Sequence, residues 1–135
     1  MAFYNALLAF QAQKLVFKGF YVGGSTAEAF LLSTEERKQV MDICKEAAPN
    51  HKLIAHIGSI NEKEALELSL HAKALSYDAI SSVTPFYYKF SFEEIKNYYC
   101  RLTEASGMPM IVYCIPAFSG VTMGVKEISA FLERD

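Results

Sequence analysis

The sequence predicts an α/β fold built on a parallel sheet, and three observations carry that prediction. Four short apolar runs, at 19–23 (GFYVG), 52–57 (KLIAHI), 78–83 (DAISSV) and 109–115 (PMIVYCI), lack polar alternation and read as strands covered on both faces. Segments of helical periodicity lie between them. Successive runs begin roughly 26 to 33 residues apart, the length of one strand-plus-helix unit.

Taken in order, the first run passes into Gly23-Gly24-Ser25-Thr26, a turn signal ahead of a helix. That helix has Val40, Ile43, Cys44 and Ala47 on one face; the second has Ala65, Leu68, Ala72 and Leu75, and the third Ile95, Tyr98, Leu102 and Ala105. Each opens with a cap residue and an acid three positions later, Ser33/Glu36, Asn61/Glu64 and Ser91/Glu94, the spacing of a capping box. A last helix is expected from about Val125 to Leu132, with Thr122 or Gly124 near its start. Residues 3–10 read equally as the remnant of a further strand or, within 4–17, as part of a helix covering the sheet. The 135 residues form one domain, without linkers or low-complexity segments.

Composition narrows the function. A chain that is 52% hydrophobic and 21% charged has material for a packed core. Its net charge of −2, without a basic patch, argues against nucleic acid and membrane surfaces and for a small-molecule partner. No apolar run reaches the roughly 18 residues of a membrane span, and no basic segment precedes the apolar N-terminus, so a cytoplasmic setting is expected. Cys44, Cys100 and Cys114 are odd in number and lack metal-ligand spacing, so they read as small buried thiols, with neither disulfide nor zinc.

Parallel α/β proteins place their chemistry at the C-terminal ends of strands. The residues there are Gly24 to Glu28, then Gly58-Ser59, then Thr84 to Tyr88, then Pro116 to Gly120, with Tyr113 near the end of its strand. Gly-Gly-Ser-Thr is either a tight turn with a helix cap or an anion cradle, in which backbone N–H groups and two hydroxyls converge on a carboxylate or phosphate. It is not a nucleotide P-loop, because the lysine of that motif is missing. Tyr113 is either a packing aromatic or a catalytic phenol, and Tyr87 and Tyr88 are loop aromatics or interface anchors. His56 reads as a satisfied buried histidine, His51 and His71 as surface residues, and Lys89 as a loop lysine with no desolvating neighbours.

Together the stretches YVGGSTAEAFLLS, KLIAHIGS, AISSVTPFYYKFSFEEIK and IVYCIPAFSGV resemble the N-acetylneuraminate lyase branch of the dihydrodipicolinate synthase family of class I aldolases. The GGST and VTPFYY forms and YxIPAxSG resemble that branch more than the synthases, which show GTTGE and TPYYN versions. The resemblance implies a partial (β/α)8 TIM barrel of four to five βα units, matching roughly strands two to five, in a protein that assembles as a homotetramer. It implies that Ser25 and Thr26 grip the carboxylate of pyruvate. It also implies that Tyr113 moves a proton at the cleaved carbon–carbon bond, its hydroxyl held by Ser25 and by Tyr87 of a neighbouring subunit. The reaction implied is cleavage of sialic acid to pyruvate and N-acetylmannosamine through a Schiff base, with no metal or organic cofactor.

The resemblance also places the Schiff-base lysine one βα unit beyond Tyr113, past Asp135, so the isolated chain is expected to be inactive, with an open sheet edge and a bare sheet face that invite marginal stability or self-association. Ala27 stands where the family has glycine, adding a Cβ beside the carboxylate turn. Three alternatives stay open: a noncatalytic binding or assembly module, a dihydrodipicolinate synthase-like enzyme, and a flavodoxin-like sheet using GGST for phosphate. Strand order separates the last from a barrel, since a doubly wound sheet reverses beside its first strand.

Overall fold

The computed structural model describes residues 17–132, and the two readings of the N-terminal segment fall almost wholly outside them. Four strands, β1 (Gly19–Val22), β2 (Lys52–His56), β3 (Ala79–Val83) and β4 (Met110–Tyr113), occupy the cores of the four apolar runs. Between and after them lie α1 (Thr34–Ala47), α2 (Glu62–Ala74), α3 (Phe92–Ser106), a single turn α4 (Pro116–Ser119) and α5 (Val125–Leu132). The strands pair in parallel, in the order β1-β2-β3-β4. Neighbours in space are thus neighbours in sequence, which removes the flavodoxin-like alternative and matches an arc of a barrel.

Local chemistry explains where the helices begin. Ser33 and Ser91 each accept from the backbone of Glu36 and Glu94, and each glutamate reaches back to the cap N–H, completing two capping boxes. The third expected box forms differently: Asn61 accepts from the Lys63 N–H, while Glu64 is taken by the Ser59 hydroxyl and the Asn61 amide. α4 has proline in its first turn, where the missing N–H costs nothing, and it ends on Gly120 in the left-handed region. At α5 the Glu127 carboxylate accepts from the Gly124 N–H at 2.9 Å.

The buried faces differ in detail from the periodicity. On α1 the buried residues are Arg37, Val40, Met41 and Cys44, with Ile43 and Ala47 only half-buried. On α3 Ala105 is exposed and Ser106 is buried instead, its hydroxyl donating to the Leu102 carbonyl. Such a bond lets a polar side chain sit at a buried helical position without an unpaired group. His71 pairs with Asp42 at 2.9 Å and His51 is half-buried, so neither is a plain surface residue. Of the cysteines only Cys44 is buried; Cys114 is exposed.

The helix layer covers one sheet face, where Val22, Leu53, Ala55 and Ile80 meet Val40, Met41, Leu68, Tyr99 and Leu102 in the core. The other face carries Tyr21, Ile54, Ser81, Ile111 and Tyr113, alternating with the first set as the two-residue period of a strand requires. Among the described residues Tyr21 and Ile111 are 44% and 43% exposed while Ser81 and His56 are fully buried, so this face is partly open. The packing predicts an asymmetry within α2. Leu68→Ala removes a fully buried side chain and is expected to lower unfolding free energy by about 2 to 5 kcal/mol in urea titration, whereas Leu70→Ala, 46% exposed, should stay within about 0.5 kcal/mol.

Candidate active site

The rim at the C-terminal ends of the strands starts with the Gly23–Thr26 segment. Gly23 turns the chain out of β1 at φ +72°, a conformation that disfavours side chains. Gly24 is extended, and Ser25–Ala27 form one 3-10 turn that ends on Glu28 in the left-handed region. The first N–H groups of such a turn have no partner within it. The Ser25 and Thr26 hydroxyls make no hydrogen bond to other described residues. In contrast, the serines of the helix caps and buried helix faces are all engaged. Uncommitted donors at a strand end are what a carboxylate site requires.

Tyr113, the last residue of β4, lies on the partly open sheet face in a three-ring cluster. Its ring meets Tyr21 edge-on at 6.1 Å between centroids and His56 edge-on at 6.4 Å, and Tyr21 and His56 are themselves 6.1 Å apart. The Tyr21 hydroxyl donates to Ser81 at 2.9 Å, and Ser81 donates in turn to the Ile111 carbonyl at 3.0 Å. Burial raises the Tyr21 pKa above the ordinary phenol value, against the Ser81 hydrogen bond, with the nearby Tyr113 adding to the rise.

His56 is fully buried, and its Nε2 accepts from the Val83 N–H at 3.4 Å. Burial, reinforced by the charge of Arg37, pushes its pKa down to about 4, so the ring is neutral at physiological pH. With Nε2 accepting, the ring proton belongs on Nδ1. Arg37 is buried as well; its two terminal nitrogens donate to the His56 and Gly58 carbonyls at 2.9 and 3.0 Å. That fork fixes the end of β2 to the start of α1, and burial lowers the guanidinium pKa to about 10. Behind β3, the Tyr98 hydroxyl shares a hydrogen bond with Ser82 and the Tyr99 hydroxyl donates to the Ser82 carbonyl.

An open cleft of about 210 Å³ on the rim is lined by Ser25, Phe30, Val83, Phe86, Ile115, Phe118 and Ser119. Of the four residues singled out from sequence, Ser25 faces this cleft and Tyr113 ends the strand that leads to Ile115. Thr26 is exposed on the same turn. Among the described residues no hydrogen bond joins Ser25 to Tyr113. Tyr87 points away, 83% exposed, with a left-handed backbone (φ +75°) and its ring edge-on to Tyr88. Among the described residues no group of three His, Cys, Asp or Glu side chains could hold a metal ion.

The residues that sequence reasoning left out are Tyr21, Phe30 and Arg37. The alternation within GFYVG was a usable signal for Tyr21, since it shares a strand face with Gly19 and Gly23 rather than with the buried Val22.

Comparison with known proteins converges on one family. The dihydrodipicolinate synthetase family profile matches residues 1–134. The chain is 51% identical over 122 residues to the N-acetylneuraminate lyase of Pasteurella multocida, covering 90% of this chain and 42% of that protein. Among solved structures, a Clostridium difficile protein in complex with mannosamine superposes with a TM-score of 0.89 at 44% identity, over 96% of this chain and 46% of that one. The N-acetylneuraminate lyase of Fusobacterium nucleatum complexed with pyruvate gives a TM-score of 0.84 at 41% identity, over 96% and 44%. The chain therefore spans less than half the length of the relatives it matches.

The buried histidine gives the site a pH signature. A folded-state pKa of about 4 against an unfolded value of about 6.5 means that His56 contributes stability at neutral pH, lost progressively as pH falls through the window between the two values. Urea titrations between about pH 7 and pH 4.5 are expected to show most of that loss, on the order of 2 kcal/mol. His56→Gln should flatten the dependence in that window whatever its effect at neutral pH.

Proposed function

We propose, from the premise that this chain belongs to the dihydrodipicolinate synthetase family, that it supplies the carboxylate-gripping and proton-moving part of an N-acetylneuraminate lyase-type active site. The substrate class is a 2-keto acid bearing a sugar half, and the reaction is reversible carbon–carbon cleavage to pyruvate and N-acetylmannosamine. The observation that carries this reading is the placement of uncommitted Ser25 and Thr26 hydroxyls on the same rim as the phenol of Tyr113.

In this account Ser25, Thr26 and the N–H groups of their turn that have no partner among the described residues hold the pyruvate carboxylate. An imine between a lysine amine and the keto carbon serves as the electron sink. Tyr113 takes the proton of the sugar-side hydroxyl as the carbon–carbon bond breaks, and the bonding pair passes into the imine. Among the described residues Lys89 is the rim lysine, and it is exposed on the loop after β3. We therefore place the amine in the part of the family barrel that the match does not span. A phenol needs an oriented environment to act as a base near neutrality, and the Tyr21 and His56 rings supply packing on two sides of Tyr113.

Assembly belongs to the same reading. Tyr87 reaches outward, which supports its donation toward the Tyr113 of a neighbouring copy in a homo-oligomer. All three cysteines are free, and Cys114 is exposed, which supports a reducing, cytoplasmic setting. The chain is read as one incomplete barrel domain over residues 1–135, working without metal or organic cofactor.

Pyruvate binding by the 135-residue chain, followed by ligand-observed NMR, tests the proposal. Saturable binding is expected, weakened roughly fivefold or more by Ser25→Ala and by Thr26→Val, each of which removes one donor to a charged group, and little changed by Tyr113→Phe. Binding that ignores both hydroxyl substitutions, or no binding at all, would overturn it.

A further inference from the structure

The Gly23–Thr26 turn and Tyr113 do not bond to each other, yet one side chain touches both. The Tyr21 ring lies against Gly24: a Cβ built there would fall 2.7 Å from Tyr21 Cε1 and 2.9 Å from Cδ1. Gly24 has an ordinary φ of −75°, so the backbone conformation does not call for glycine. The ring does. On its other side the same ring meets Tyr113 edge-on at 6.1 Å, an arrangement that favours one relative orientation of two aromatics.

The ring is itself pinned. Its hydroxyl donates to Ser81, and Ser81 donates to the carbonyl of Ile111, two residues before Tyr113 on the same strand face. This relay runs from β1 across β3 to β4, over 60 and then 30 residues of sequence. Tyr21 is 44% exposed, and the fully buried Ser81 hydroxyl is already satisfied by donating to the Ile111 carbonyl, so the Tyr21 bond is not needed to hide a core hydroxyl. A hydrogen bond at a half-exposed site adds little stability but does select one rotamer of the ring.

We infer that Tyr21 is a positioning residue: held by Ser81, its ring supports the carboxylate-gripping turn at Gly24 and sets the orientation of the Tyr113 phenol. This rests on the pyruvate-site reading for its functional meaning, while the geometric claim stands on the contacts themselves. Tyr21→Phe keeps the ring and removes the relay; Gly24→Ala forces the ring from its seat. The two perturbations therefore reach the same group from different elements.

The test uses the full chain with ring-labelled tyrosine, the Tyr113 signal being assigned by Tyr113→Phe. Tyr21→Phe is expected to shift the Tyr113 ring resonance and weaken pyruvate binding about threefold to tenfold, the weight of one hydrogen bond, with the melting midpoint nearly unchanged. Gly24→Ala should weaken binding in the native background and cost nothing further in a Tyr21→Ala background, because the clash has been removed. An unmoved Tyr113 resonance in Tyr21→Phe, or an equal Gly24→Ala cost in both backgrounds, overturns the inference. If the unsubstituted chain fails to bind pyruvate, the functional reading fails, and the Tyr113 resonance still decides the positioning claim. Should Tyr21→Ala fail to fold, Tyr21→Phe decides alone.

Discussion

Parallel pairing in sequence order is the constraint on which the rest of the structure depends. Each helix returns the chain to the start of the next strand, so every strand finishes at the same end of the sheet. Residues as far apart as Gly23 and Ile115 are gathered there by topology alone. No long-range polar pairing is required to assemble the rim; it only has to be held still.

The holding is done by buried hydrogen bonds directly beneath the rim. Arg37 forks onto the carbonyls of His56 and Gly58, and the Tyr98 and Tyr99 hydroxyls engage Ser82. Burying a guanidinium costs free energy that its two carbonyl contacts only partly return, and burial lowers its pKa accordingly. These contacts occur where strands end and the ladder no longer fixes the backbone. Their effect is to define one geometry for residues that would otherwise be loop. The hydroxyls of Ser25 and Thr26, by contrast, have no partner among the described residues, and that difference separates supporting groups from groups free to meet a ligand.

The fold was legible because its signals are local. Buried strands announce themselves as apolar runs, and serine with glutamate three positions later marks a helix start, as Ser33/Glu36 and Ser91/Glu94 do. Asn61 departs from the pattern because Ser59, a neighbour the spacing rule ignores, competes for Glu64. The burial of Arg37 was not legible, since its partners lie 19 and 21 residues away and a charged residue in the first turn of a helix ordinarily faces water. Strand-end placement made Ser25, Thr26 and Tyr113 candidates, and the family resemblance, not spacing, chose among their readings. What Tyr21 touches depends on a ring crossing to another strand, and no one-dimensional pattern records that.

The account stands on the gathering of the Gly24 turn and the end of β4 into one ligand-facing rim. Amide chemical-shift mapping of an isotope-labelled chain during a pyruvate titration addresses it most directly. Perturbations are expected to cluster at Gly24, Ser25 and Thr26, with a second group at Tyr113, Cys114 and Ile115 and none at the opposite ends of the strands. Perturbations confined to the N-terminal strand ends near Gly19, Lys52 and Met110 would contradict it.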